Sequence, residues 1–152
     1  WNSVSWLAEA FDGLQQRGVD RVYFFCLRNN FFGLYDYHIN EVRPNYYTFW
    51  MFTNLLGRQR VTASASHPGV GVIATLDTTG KYAIMLYSKQ DIAAEVKLSF
   101  NCKNMRCYTF SRQWYERNKK IVDGNATIMP SRVLDSQEKI IIPPKGIVVI
   151  KE

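Results

Sequence analysis

Two acids and a histidine lie close enough in the chain to suggest chemistry. Asp36 and Glu41 flank the end of a short apolar stretch, and His38 stands two residues from Asp36. On a strand, residues i and i+2 share a face, so Asp36 and His38 could serve as an orienting acid and a base. No nucleophile is placed with them. The plainer reading is a solvated turn acid at 36 and, at 41, an acid favoured by the positive end of the helix that follows. His67 precedes Pro68 in a turn and reads as a surface histidine. Three cysteines and two histidines never reach zinc-ligand spacing, so neither a metal nor a cofactor is expected. Cys102 and Cys107 are separated by residues that could turn a hairpin, which leaves a disulfide between them open. Cys26, inside an apolar run, reads as a buried free thiol. Asn125-Ala126-Thr127 is an N-glycosylation sequon just after an Asp-Gly turn. Trp114 and Tyr115 lie among Arg112, Gln113, Glu116 and Arg117. Aromatic faces beside polar groups can stack on sugars; the alternative is an amphipathic loop covering a core.

Composition narrows the classes. The chain has 152 residues, 47% apolar and 21% charged, which is globular rather than disordered. Its charge of +6 comes from scattered residues: only Lys119 and Lys120 are adjacent, with Arg117 nearby. Such scatter gives no basic stripe, and a nucleic-acid partner is not expected. No apolar run reaches the roughly 18 residues of a membrane helix, and no signal-peptide pattern opens the chain. A start at Trp1 without Met reads as a processed product or a piece of a longer chain.

The two parts of the sequence have different textures. Val4, Leu7, Phe11 and Leu14 recur at helical spacing, and Gly18 closes that helix. Residues 22–27, Val-Tyr-Phe-Phe-Cys-Leu, are apolar without alternation, which predicts a strand buried on both faces. A second short strand is expected within 31–37. Arg43-Pro44 opens a second helix that stops at Gly57, apolar around most of its circumference. This order implies βα units of a parallel sheet. Two such units cannot close a (β/α)8 barrel, which needs about 250 residues. Residues 58–152 read as strands and turns only, near 59–66, 70–77, 82–88, 94–101, 105–111, 126–129, 138–142 and 146–151. Eight short strands suggest an antiparallel β-sandwich. The expected organisation is a βα segment over 1–57, the terminal part of a (β/α)8 barrel, followed by an accessory β-sandwich over 58–152.

At this point the chain resembles the C-terminal part of a clan-A retaining glycoside hydrolase, most like family 39, which holds β-xylosidases and α-iduronidases. Trp1-Asn2-Ser3 resembles the residues after that family's nucleophile, Glu-Trp-Asn-Ser in many members. Phe32-Gly33-Leu34 with Arg43-Pro44-Asn45-Tyr46-Tyr47 resembles the eighth barrel strand and the helix after it. Gly71 to Tyr87 and Pro143 to Ile150 resemble the accessory sandwich. The resemblance implies a retaining mechanism with two carboxylates about 5–5.5 Å apart. It places both upstream of this chain, the nucleophile immediately before Trp1, so that residues 1–152 alone are inactive. It implies that Trp1, Asn2, Phe25, Arg28 and Asn29 line a sugar cleft. The implied partners are an oligo- or polysaccharide and the remainder of the barrel, in an extracellular or lysosomal setting. Phe24 to Asn29 departs from the family, which carries Trp with a polar or acidic residue there, so the sugar is not carried over.

Two other readings stand beside it. One is a glycosidase-like protein without catalysis, acting as an extracellular structural or carbohydrate-binding component. The other is a free-standing immunoglobulin-like module with a helical lead-in, which leaves the 22–27 strand without cover. Unfinished sheet edges in 1–57 also predict that the isolated chain is poorly soluble or held by another chain.

Overall fold

In a computed structural model the described residues are all except 29–32, 101–102, 120–126 and 136–137. Helix α1 spans Ser3–Gln16. Its end is set by Gly18, at φ +69°, whose N–H donates to Gln15 O while Val19 N–H donates to Leu14 O. Glycine enters this left-handed conformation without a Cβ penalty, as the sequence predicts. Strands β1 (Tyr35–Asp36) and β2 (Glu41–Val42) form a small hairpin. Helix α2 spans Pro44–Leu55, with Pro44 in the first turn, where its missing N–H costs nothing.

Six strands then build the main sheet, all pairs antiparallel, in the order β3-β4-β5-β10-β7-β8. They are β3 Gln59–Val61, β4 Val70–Leu76, β5 Tyr82–Ser88, β7 Met105–Phe110, β8 Arg132–Leu134 and β10 Ile147–Lys151. A second, two-stranded sheet pairs β6 (Ala94–Val96) with β9 (Ile140–Ile142). The β4–β5 turn is pinned by Asp77, whose carboxylate accepts from Thr79 N, Thr79 Oγ1 and Lys81 N at 2.7–3.0 Å. Those bonds, the Thr79 hydroxyl first, hold the Asp77 carboxyl below its ordinary range.

Side-chain alternation divides the sheet into two cores. Ile73, Met85, Tyr87, Tyr108, Phe110, Ile147 and Val149 face α1 and α2. Val70, Ala74, Ile84, Leu86, Met105, Cys107, Val148 and Ile150 face β6 and β9. Central strands are therefore buried on both faces, which is why 147–150 reads as an unbroken Ile/Val run. The helix-side core also takes in Val4, Ala8, Val42, Tyr47, Met51 and Leu55, so the N-terminal helices and the sheet share one interior.

Gly57 marks the passage from α2 into the sheet. Its N–H donates to Thr75 Oγ1 at 2.7 Å, and a Cβ there would meet Leu76 O at 2.1 Å. Backbone cannot yield as a flexible side chain does, so Gly57→Ala is expected to cost about 1–3 kcal/mol. The check is a thermal midpoint lower than wild type by several degrees.

Several sequence expectations are corrected. Residues 22–27 form no strand: Tyr23, Phe25 and Leu27 are 86, 79 and 69% exposed. A strand buried on both faces needs flanking strands and covering helices, and the described residues supply neither. Phe24 packs inward, its ring 5.0 Å from that of Phe49. The parallel sheet is represented among the described residues by one bridge, Arg28 to Tyr35. Cys26 is half-buried, its Sγ 3.6 Å from Arg28 O. Cys107 is a free thiol buried in the sheet, so the pairing with Cys102 is not made; Cys102 lies outside the described residues. Residues 58–152 are not strands and turns alone, since helix α3 spans Arg112–Asn118 and strand β8 was not foreseen. The strands expected over 59–66 and 94–101 pair only over 59–61 and 94–96.

Candidate functional site

Trp1, Trp114 and Tyr115 gather at the end of the molecule where the start of α1, α2 and α3 meet the β1–β2 hairpin. Trp1 packs its ring on Phe110, with centroids 5.0 Å apart, and on Tyr115 at 6.1 Å. Its Nε1–H donates to Pro144 O at 3.1 Å. Tyr47 stands at the middle of this cluster, 5.3 Å from Phe110 and 5.0 Å from Trp114 by ring centroids. Its hydroxyl donates to Asn118 O at 3.2 Å, and that of Tyr115 donates to Val42 O at 3.0 Å. Ser111 caps α3, its Oγ accepting from Trp114 N at 3.0 Å. A serine three residues before Trp114 is the sequence signal that could have announced this helix. Ser111→Ala is expected to cost about 1 kcal/mol, read as a lower urea midpoint with an unchanged slope.

Trp114 and Tyr115 are therefore partly buried packing residues rather than an exposed sugar platform. Burial first, then the neighbouring Tyr46 and Tyr115 hydroxyls, push the Tyr47 phenol up from 10.0 to about 12. The folded state thus favours neutral Tyr47, while the unfolded chain ionises it at its ordinary value. This contribution to stability is complete below pH 10 and is lost as pH rises through about 12. A series of denaturant melts from pH 9 to pH 12 should show that decline, and Tyr47→Phe should flatten it.

Asp36 and Glu41 stand opposite one another across the β1–β2 pair. Each is held by a cation: Arg43 lies 2.8 Å from Asp36, and Lys119 3.2 Å from Glu41. The hydrogen bonds that Lys119 donates to Glu41 and then to Glu116 raise it above its ordinary value. Asp36 also accepts from His38 N at 3.1 Å, while the His38 ring lies against Tyr37. The bond to Asp36 comes from the backbone of His38, so the base-and-orienter arrangement is not formed. The two acids are neutralised as a ladder that closes the hairpin. His67 accepts from Gly69 N at its Nδ1, a turn contact.

Of the expected cleft residues, Asn2 is exposed beside α1, Phe25 is exposed, and Arg28 lies over the Tyr37 ring, 5.1 Å from its centroid. Asn29 and the sequon residue Asn125 lie outside the described residues. The structure therefore joins Trp1 to the aromatic cluster and Arg28 to Tyr35 and Tyr37. It leaves Phe25 in contact with solvent. No group of three metal-ligating side chains occurs among the described residues, and no helix there is long and apolar enough to cross a membrane.

With this geometry in view, the architecture can be set against solved proteins. It is similar to a glycoside hydrolase family 30 subfamily 8 xylanase from Clostridium acetobutylicum, with a TM-score of 0.75 and 15% identity over 99% of this chain and 38% of the xylanase. It is also similar to the catalytic domain of a family 30 xylanase from Talaromyces cellulolyticus, with a TM-score of 0.53 and 13% identity over 73% of this chain and 24% of that one. The chain thus has a fold found within these glycoside hydrolases and spans well under half of either. Both similar structures are of family 30, not family 39. No family model and no curated protein sequence matches the chain.

Proposed function

We propose that this chain is the C-terminal part of a retaining glycoside hydrolase, with its catalytic carboxylates outside residues 1–152. The observation that carries the reading is the likeness to the xylanase, which takes in nearly all of this chain and little more than a third of that protein. Within it, residues 1–57 would end a (β/α)8 barrel and 58–152 form the accessory sandwich. Between families 30 and 39 the structural likeness favours 30, and the sequence motifs favour 39. The uncovered 22–27 segment supports a barrel partner, since its apolar side chains are those of a strand enclosed on both faces. Phe25, Arg28 and Asn29 would then lie at the end of that strand, toward the sugar. Secretion or delivery to the lysosome fits such a protein.

The test is to react the protein as it exists with a 2-fluoro aryl glycoside that traps the covalent glycosyl-enzyme. Turnover of an aryl glycoside, with the label on a carboxylate outside 1–152, is the expected result. A label on Asp36 or Glu41 would overturn it. Phe25→Ala is expected to raise KM about tenfold with little change in thermal midpoint, because this reading sets its ring at the open end of the strand, toward the sugar.

A second reading, an inactive glycosidase-like carbohydrate-binding or structural protein, is favoured by one observation. Phe24 to Arg28 offers aromatic rings and a guanidinium but no carboxylate. Glycan binding without turnover of any aryl glycoside would select it.

A further inference from the structure

Two pieces of the helical part of the chain are fastened to the sheet part at the same place. The first is Trp1. Its ring lies on Phe110 of β7 and on Tyr115 of α3, and its Nε1–H donates to Pro144 O in the turn before β10. The second is the β1–β2 hairpin. The Tyr115 hydroxyl donates to Val42 O at 3.0 Å, and Val42 N–H donates to Lys119 O at 3.2 Å. Lys119 Nζ also lies 3.2 Å from Glu41. Both main-chain groups of Val42 are thus taken by α3 and the residue that follows it. One half-buried side chain serves both attachments. Tyr115 presents its ring to Trp1, with centroids 6.1 Å apart, and its hydroxyl to the hairpin.

We propose that Tyr115 is a positioning residue for sugar cleavage, tying Trp1 and the β1–β2 hairpin into one fixed edge of the cleft. The inference rests on the glycosidase reading above. In a (β/α)8 barrel the cleft is built from the junctions where each strand gives way to its helix. Trp1 stands just before α1, and the hairpin stands between the 22–27 segment and α2. In that reading both occupy such junctions. Catalysis depends on holding the reacting groups in register, so a displaced junction is felt more at the barrier than in binding. Tyr115 touches no sugar and acts through the two junctions it joins. Its ring fixes Trp1 by packing, and its hydroxyl fixes the direction of the hairpin main chain through a hydrogen bond. Trp114, one residue earlier in α3, packs on Tyr47 and Phe110 instead. It shares the same core and provides the comparison.

Steady-state kinetics of the whole protein test this, on whichever 4-nitrophenyl glycoside of a panel it turns over fastest and well below every thermal midpoint. Tyr115→Phe keeps the ring and removes the hydroxyl. It should lower kcat about tenfold and leave KM within about twofold of wild type. Tyr115→Leu, which removes ring and hydroxyl together, should lower kcat about a hundredfold. Trp114→Phe should lower the thermal midpoint at least as much as Tyr115→Phe and leave kcat unchanged, which separates positioning from stability. An unchanged kcat in Tyr115→Phe would overturn the proposal. So would an equal fall in Trp114→Phe, or a change confined to KM. The glycosidase reading fails on a different result: no 4-nitrophenyl glycoside is turned over, or the 2-fluoro label falls on Asp36 or Glu41. In that case the positioning role falls with it.

Discussion

Asp12→Ala is expected to lower the unfolding free energy by about 2–4 kcal/mol, a large share of a typical domain's stability. Asp12 is a polar residue of α1 that the fold buries against the sheet. Its Oδ1 accepts from Gln16 Nε2 at 2.9 Å and is ion-paired with Arg60 of β3; its Oδ2 accepts from the Tyr87 hydroxyl of β5 at 2.8 Å. Arg60 also donates to Gln15 Oε1 at 3.0 Å. Removing the carboxylate strands a guanidinium and a buried phenol together, and their desolvation is then uncompensated. The range sits below that of a fully buried pair because Arg60 keeps about a quarter of its side chain in water. Burial and the bond to Asp12 raise the Tyr87 phenol above its ordinary value, so it stays a donor across the neutral range. Urea unfolding of Asp12→Ala, Tyr87→Phe and the double variant provides the check. The single Tyr87→Phe change should cost about 1 kcal/mol, and the two should be strongly non-additive. Additive losses would show that the network is not a unit.

Phe110→Ala is expected to cost about 3–5 kcal/mol and to loosen the attachment of both α3 and the Trp1 end. Phe110 is fully buried, and its ring lies 5.0, 5.3 and 5.7 Å from those of Trp1, Tyr47 and Trp114. A cavity there removes the surface against which two tryptophans pack, so tryptophan emission should shift to the red before global unfolding. Phe110→Leu, which keeps most of the volume, should cost far less. If alanine and leucine behaved alike, the cluster would not be tightly packed. The contrast with Phe25→Ala is informative: both residues are phenylalanine, but only one is enclosed.

Much of the helical and central-strand structure was legible because its causes are local. Gly18 and Pro44 carry the backbone preferences that end α1 and begin α2. The runs 70–76, 82–88 and 147–151 have the side chains of strands enclosed in a sheet, and they are its middle. Helix α3 was missed because it is seven residues long and buries none of them fully, so no apolar stripe marks it. Asp12 was missed because burial of a carboxylate depends on Arg60 and Tyr87, distant in sequence. Asp36 and Glu41 were legible as a pair, but not as a pair neutralised by Arg43 and Lys119.

By itself the sequence determined where the chain can be helical, where it alternates, and which turns glycine and proline impose. These follow from backbone sterics and from the spacing of apolar side chains. Only the tertiary structure decided which strand-like segments are truly paired. The stretches 22–27, 62–66 and 97–100 all have the residues of strands, yet the first is exposed and the other two stop short of pairing. A strand's hydrogen bonds point sideways to another segment, so its composition states a requirement that only a neighbour in space can meet.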